Sequence, residues 1–201
     1  MLTLPRHSLP MPSQTTSPIF VEKKKLSKPP LALHYLGDRV LRQPAKRIAK
    51  VDDEVRQLAR QMLQTMYSED GIGLAAPQVG VHKQLIVIDI HLDEPKTPPL
   101  VLINPSIIRQ SSTTCVIQEG CLSIPGVFLD VTRPEEIEVS YKDEMGRPQK
   151  LVAKELLARV ILHEMDHLNG VMFVDRVDNA LALNQELSKN GFSVQAVKPV
   201  A

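Results

Sequence analysis

The chain has 201 residues, 43% of them hydrophobic, so it is long enough to form a domain with a sizeable core. Its formal net charge of +1 gives no general attraction for DNA or for an anionic membrane, and we expect neither as a partner. The two cysteines, Cys115 and Cys121, are too few for the disulfide framework of a small secreted protein. A metal-ligand or nucleophile role is therefore the stronger expectation for one of them.

The first 31 residues differ in composition from the rest of the chain. They are rich in Pro, Ser and Thr, contain almost no acid and show no apolar periodicity, which predicts a disordered arm over residues 1–31. An acid-poor, Ser-rich leader is also typical of an organelle-targeting segment, which is the alternative interpretation. Residues 32–201 are predicted to form a single domain.

Apolar periodicity and turn residues predict two helices and several strands in this domain. The first helix is expected from about Asp53 to Ser68 and the second from about Ala153 to Leu168. Short β-branched runs predict strands at residues 85–90, 100–105, 127–131 and 136–141. This order indicates an α+β fold with mostly antiparallel sheets around the second helix.

The second predicted helix carries the pattern H-E-x-x-H, formed by His163, Glu164 and His167. Histidines at positions i and i+4 project from one face of a helix, so both imidazoles can bind one metal ion beside the carboxylate. Leu156 and Val160 continue this face and predict a buried pocket. The motif indicates a metal-dependent hydrolase in which Glu164 is the general acid/base, whereas a lone histidine is more often a hydrogen-bonded core residue.

A catalytic zinc or iron site needs a third protein ligand. Cys121 is the preferred candidate because it lies in a loop framed by Gly120 and Pro125, and a thiolate with two imidazoles suits a borderline-soft divalent ion. For Cys115 we expect a small buried hydrophobe. The alternative third ligands are acidic residues downstream of the motif, namely Asp175, Asp178 and Glu186.

The segment Gly71–Gln78 consists mainly of small residues, which allow another backbone to approach closely. An extended peptide can pair with such a segment as an added strand, and Gln78 offers an amide donor for an oxyanion. A tight turn between a helix and a strand is the alternative explanation.

Together, three segments resemble the motifs of the peptide deformylase family, G-x-G-x-A-A-x-Q, E-G-C-L-S and H-E-x-D-H. They are Gly71–Gln78, Glu119–Ser123 and His163–His167, in the family's order. The resemblance covers roughly residues 33–175 and is similar in detail to the cyanobacterial and plastid branch. It implies removal of the formyl group from the N-terminal formyl-methionine of newly made polypeptides, with release of formate.

The resemblance also implies roles for individual residues. One divalent ion, Fe²⁺ as the working ion with Zn²⁺ or Ni²⁺ as replacements, would be bound by Cys121, His163 and His167. Glu164 would be the acid/base, while the Gln78 side chain and the Leu122 backbone N–H would face the developing oxyanion. The peptide site would be lined by Ile72, Gly73 and Gly120. The cysteine loop would be steadied by a charged pair, Glu119 and Arg133.

Two departures from the family pattern concern substrate preference or local packing rather than the reaction. Leu162 stands where the family usually has Gln, and Glu155 lies where a Gly is common before two leucines.

The partners implied by the resemblance are formyl-methionyl nascent peptides, with a transient ribosome contact as a further expectation. We expect a cytoplasmic location, or a plastid if the N-terminal arm is a transit peptide.

Two other functions remain open on the residues alone. A zinc endopeptidase would cleave internal peptide bonds and take its third ligand downstream of His167. A non-catalytic peptide-binding module with a structural metal would need a fourth protein ligand, for which Cys115 is the obvious candidate.

Overall fold

The computed structural model describes residues 19–200. This part of the chain contains three α-helices: α1 (Asp53–Ser68), α2 (Glu155–Leu168) and α3 (Ala180–Lys189). Its seven strands are β1 (Gly73–Ala75), β2 (Leu85–Ile88), β3 (Leu100–Gln110), β4 (Thr114–Cys121), β5 (Ile124–Pro134), β6 (Glu136–Lys142) and β7 (Pro148–Lys154). None of the helices within residues 19–200 is both long and apolar enough to cross a membrane.

The strands form two antiparallel sheets. Five of them lie in the order β1-β2-β3-β6-β7, and β4 pairs with β5 in a separate two-stranded sheet, called the hairpin below. The prediction of an α+β fold with mostly antiparallel sheets is confirmed. The sequence did not predict β1, β4, β7 or α3, and α2 begins two residues later than expected because β7 continues to Lys154.

The two long helices pack on opposite faces of the five-stranded sheet. In β2, Leu85 and Val87 belong to the core cluster on the α1 side, whereas Ile86 and Ile88 belong to the cluster on the α2 side. Successive side chains of a strand point to opposite faces, so a strand covered on both sides is apolar throughout. A third cluster, on the hairpin, includes apolar residues of β5 and α3.

Residues 19–31 differ from the disordered arm that was predicted to reach residue 31. Ile19 and Val21 are buried in the α1-side core cluster. Lys23 Nζ lies 2.8 Å from the buried carboxylate of Asp89, which also accepts a 2.7 Å hydrogen bond from Tyr67 Oη. These contacts join distant parts of the chain, so the local composition of the segment could not reveal them. The part of the predicted arm before residue 19 lies outside the described residues.

α1 begins where the Asp52 carboxylate accepts a hydrogen bond from the backbone N–H of Val55, at 3.0 Å. After α1 ends at Ser68, the chain turns at Gly71 into β1. A Cβ atom added at Gly71 would lie 2.7 Å from Leu122 Cδ1, so a larger residue there would displace the Leu122 side chain of the loop after β4. The turn and the loop thereby become two neighbouring walls of one cavity.

Candidate metal centre

Three side chains from two elements meet at one point. Cys121 is the last residue of β4, while His163 and His167 lie one turn apart on α2. One ligand atom from each lies within 4.8 Å of the other two, and Cys121 Sγ is 3.3 Å from His167 Nε2. The pairing of β4 with β5 shifts register between Gly120 and Cys121, an irregularity of the kind that redirects a side chain.

The donor set suits a divalent metal ion. A thiolate and two imidazoles match a borderline-soft ion such as Fe²⁺ or Zn²⁺. Burial lowers the pKa of His167 well below its ordinary value, which favours the neutral ring that ligates a metal. Burial also acts to lower the pKa of His163, but contacts with Cys121 and Glu119 raise it overall.

The other candidate ligands lie outside this group. Within residues 19–200, neither Asp175, Asp178 nor Glu186 belongs to the cluster. Asp175 instead pairs with Arg42 and accepts a 2.7 Å hydrogen bond from the Met172 backbone N–H. Cys115, expected to be a small buried hydrophobe, is only half-buried, and its sulfur accepts a 3.3 Å hydrogen bond from Arg159.

Glu164 is buried beside the three potential metal ligands. Glu164 is 4% exposed, and its Oε2 has no hydrogen-bond partner in the described part of the chain. Burial raises the pKa of Glu164 to about 7. A Cβ atom added at Gly73 would lie 2.5 Å from Glu164 Oε1, so this glycine makes room for the carboxylate. A carboxyl group of this kind can accept and return a proton near neutral pH.

The orientation of the Gln78 amide is set by its backbone surroundings. Its Oε1 accepts a 2.8 Å hydrogen bond from the Ala75 N–H, which leaves Nε2 as a donor to Ser123 Oγ at 3.1 Å and to Cys121 Sγ at 3.5 Å. The amide donor is therefore held beside the thiol. Leu122, the next residue along the chain from Cys121, lines the same cavity.

Glu119 is the centre of a buried charged network behind His163. Its carboxylate accepts hydrogen bonds from Arg133 Nε at 2.6 Å and Arg133 Nη2 at 2.9 Å, and from Arg159 Nη1 at 2.7 Å. It also lies 2.9 Å from His163 Nδ1, which leaves Nε2 of that ring for a metal. Burial raises the pKa of Glu119, but the hydrogen bonds from Arg133 and His163 outweigh it and bring the pKa to about 2.

The network continues beyond Glu119 along α2. Arg133 Nη1 donates to Asp166 Oδ2 at 2.8 Å, and Arg176 donates to both Asp166 oxygens at 2.6 Å. The sequence predicted the pair Glu119–Arg133 but missed Arg159, Asp166 and Ser123. The spacing of four residues between Arg159 and His163 places both on one face of α2, and this is the signal by which Arg159 could have been found.

A cavity of about 550 Å³ opens at the cluster. Among its lining residues are the three that were predicted to line a peptide site, Ile72, Gly73 and Gly120. Larger apolar side chains form other parts of its wall, namely Tyr35, Phe128 and Leu156. A Cβ atom added at Gly120 would lie 2.5 Å from the Phe128 ring, so a larger residue there would displace that wall.

Three potential metal ligands beside a buried carboxylate, at an open cavity, form the arrangement expected of a metal-dependent hydrolase. Comparisons with known proteins narrow the class. The family model described as polypeptide deformylase matches residues 30–182. The chain is 74% identical over 191 residues to a peptide deformylase of Microchaete diplosiphon, covering 95% of this chain and 100% of that protein. It is 69% identical to a Synechocystis peptide deformylase over 186 residues, 92% of this chain and 100% of the relative.

Solved structures agree. The crystal structure of a Synechococcus elongatus peptide deformylase in complex with actinonin matches with a TM-score of 0.90 at 71% identity, over 92% of this chain and 100% of that one. A plant peptide deformylase matches with a TM-score of 0.76 at 35% identity, over 82% and 89% of the two chains. The chain belongs to the polypeptide deformylase family. The predicted enzyme, a hydrolase that removes the N-terminal formyl group of newly made polypeptides, is thereby confirmed.

Proposed function

We propose that Cys121, His163 and His167 together hold the one divalent ion with which this enzyme deformylates peptides, and that Glu164 is its acid/base. The observation that carries this proposal is the meeting of three potential ligand atoms within 4.8 Å, beside a buried carboxylate whose Oε2 has no hydrogen-bond partner among the described residues. Fe²⁺ is the ion we expect in the cell, with Zn²⁺ or Ni²⁺ as replacements, because a thiolate ligand donates more charge than a carboxylate and weakens a Lewis acid such as Zn²⁺.

The bound ion supplies Lewis-acid chemistry, which lowers the pKa of a water molecule from about 15.7 to about 7. Glu164 accepts a proton at Oε2 from the water that attacks the formyl carbon. The carbon–nitrogen bond then breaks, and Glu164 gives the same proton to the leaving amine nitrogen. Formate and a peptide with a free N-terminus are released, and the carboxylate returns to its starting state.

The negative charge that develops on the formyl oxygen needs fixed donors. Gln78 Nε2 and the Leu122 backbone N–H are proposed for this role, and the hydrogen bond from the Ala75 N–H to Gln78 Oε1 supports it because it holds the amide in one orientation. One such donor is typically worth about 2.7–4 kcal/mol in the transition state. Glu119 and Arg133 are proposed to steady the cysteine loop and the His163 ring.

The substrate proposed for the cavity is an extended formyl-methionyl peptide. β1 forms an edge of the five-stranded sheet, so its outer side can accept a peptide as an added strand. Ile72, Gly73 and Gly120 line the cavity beside this edge and leave room for a second backbone. A transient ribosome contact would bring nascent chains to the enzyme.

The domain and its location complete the proposal. Residues 32–201 are proposed as one catalytic domain, to which the buried Ile19 and Val21 add a preceding segment. The relatives compared above include proteins of bacterial type, which supports a cytoplasmic enzyme. A plastid location is the alternative if residues 1–31 act as a transit peptide.

Formate release from formyl-Met-Ala-Ser, with metal content measured on the same sample, tests the proposed function. The wild-type protein is expected to bind one ion per chain and to release formate. Cys121→Ser should lose both properties, whereas the matched variant Cys115→Ser should keep both. Retention of the ion and of activity by Cys121→Ser would remove Cys121 from the metal centre.

A further inference from the structure

The proposed metal centre is divided between two elements that share no sheet hydrogen bonds. Cys121 lies on the hairpin, whereas His163 and His167 lie on α2. The hairpin is separate from the five-stranded sheet on which α2 packs. The distance between the thiol and the imidazoles therefore depends on side chains that join the hairpin to the helix.

Arg159 joins these elements through several hydrogen bonds at once. It lies on α2 and is 4% exposed. Its guanidinium donates to the backbone carbonyls of Cys115 and Val131, each at 2.9 Å, and to Glu119 Oε1 at 2.7 Å. These three acceptors lie on both strands of the hairpin. A planar guanidinium with five N–H donors can bond to several acceptors that lie in different directions, whereas a point-like ammonium cannot.

Arg159 also acts on a proposed ligand through one intermediate. Glu119 Oε1 accepts from Arg159, and Glu119 Oε2 lies 2.9 Å from His163 Nδ1. Arg133 holds the same carboxylate from the hairpin side and is itself held by Asp166. Without Arg159, Glu119 would keep Arg133 as a cationic partner, but within residues 19–200 the remaining arginine hydrogen bonds would come from the hairpin itself.

We propose that Arg159 is a positioning residue of the metal centre, which fixes the hairpin bearing Cys121 to α2 and orients the His163 ring through Glu119. This inference rests on the proposed function. A solely structural role would make Arg159 important for stability, but it would leave the geometry and lifetime of the bound ion unchanged in folded protein.

Three variants separate the two roles. Arg159→Met removes the donors but keeps the length of the side chain, and Arg159→Lys keeps the charge. Arg56→Met is the matched control, because Arg56 also lies on a helix, α1, and joins it to its surroundings through backbone carbonyls, those of Val51 and Glu144. Within residues 19–200, the hydrogen-bond partners of Arg56 are Asp53, Val51 and Glu144, which lie outside the proposed metal centre.

Each protein is loaded with Co²⁺ without air, and three quantities are measured. They are the sulfur-to-cobalt charge-transfer band, the rate of Co²⁺ release to a chelator, and the Tm of the metal-free protein. We expect Arg159→Met to release Co²⁺ about 10–100-fold faster than wild type, with a weakened or shifted band. Arg159→Lys should fall between the two. Arg56→Met should lower the Tm but leave the band and the release rate unchanged.

The inference is overturned if Arg159→Lys keeps both the wild-type charge-transfer band and the wild-type rate of Co²⁺ release, whether or not Arg159→Met does so too. Should Arg159→Met fail to fold, the Lys variant decides by the same criteria. A wild-type protein that binds no Co²⁺ would instead contradict the proposed function, and this inference with it. The two failures are thus distinguishable.

Discussion

The five-stranded sheet and the hairpin are stabilised in different ways. The sheet lies between α1 and α2, and all four residues of β2 are buried apolar side chains. The hairpin has one apolar face packed on α3, while its contact with α2 consists largely of buried charges around Glu119. Apolar burial contributes stability in proportion to area, whereas buried ion pairs contribute little net stability but fix orientation. A mutation in the sheet core should therefore reduce stability alone, whereas removing one partner of the charged network should reduce both stability and metal binding.

The largest effect is expected beside the proposed metal centre, from Glu164→Gln. This change keeps the size of the side chain but removes its ability to carry the proton, so turnover should fall about 10²–10⁴-fold. The bound ion and the free energy of unfolding should change little, because Oε2 has no hydrogen-bond partner among residues 19–200. Formate release and metal analysis check this expectation, and near-normal turnover would remove Glu164 from the mechanism.

Glu119→Ala should damage metal binding and stability together. It leaves Arg133 and Arg159 buried without their shared carboxylate, which typically costs about 3–5 kcal/mol. It also frees the His163 ring, for which we expect about 10–100-fold weaker metal binding. Urea unfolding and competition with a chelator measure the two effects. Unchanged affinity in a destabilised variant would show that the network supports only the fold.

Leu63→Ala, on the sheet side, should reduce stability without weakening metal binding. Leu63 of α1 is fully buried in the core cluster that α1 shares with the sheet, and its truncation should cost about 2–5 kcal/mol of unfolding free energy. The proposed ligands lie on other elements, so the metal affinity of the folded protein should stay within about twofold of wild type. A loss of affinity comparable to that of Glu119→Ala would mean that the two regions are not separable.

The pH dependence of stability should report the charged network. The pKa of Glu119 falls from 4.5 to about 2 on folding, so its contribution is complete above pH 4.5 and is lost as the pH falls towards 2. The shift corresponds to about 3 kcal/mol. In metal-free protein, Glu119→Gln should flatten the decline of the unfolding free energy between pH 4.5 and 2. Parallel curves for the two proteins would contradict the assignment.

The smallest effect is expected at the start of α2. Glu155 has a φ angle of 51°, in the left-handed region that favours glycine. Glu155→Gly should stabilise the protein by up to about 1 kcal/mol, because the relief of strain exceeds the entropy cost of glycine. Glu155→Ala is the control, since it removes the same side chain but keeps the strain. Equal effects of the two substitutions on the unfolding free energy would argue against strain.

Local features of the sequence predicted local structure well. The apolar spacing of α1 and its Asp52 cap predicted that helix, and the four-residue spacing of His163 and His167 predicted that both lie on one face of α2. β7 was missed because its apolar run, residues 151–153, is short and the strand leads directly into α2. Its neighbour Glu155, where the family often has glycine, proved to have a positive φ angle.

The contacts that build the centre are non-local, and the sequence could suggest them only through motif resemblance. Arg159 reaches the hairpin 40 residues away in sequence at Glu119 and 44 away at Cys115. Which arginine meets which carboxylate depends on how the hairpin docks on α2, and no periodicity encodes that. Ile19 and Val21 were missed for the same reason, because the core that buries them comes from later segments.

The most direct test of the central claim is the X-ray absorption spectrum of the zinc-loaded protein, which counts the atoms bound to the ion. We predict one sulfur at about 2.3 Å and two imidazole nitrogens at about 2.0–2.1 Å, with the remaining position taken by a light atom. In Cys121→Ser the sulfur contribution should disappear. A wild-type spectrum without sulfur, or with two sulfurs, would contradict a centre built from Cys121, His163 and His167.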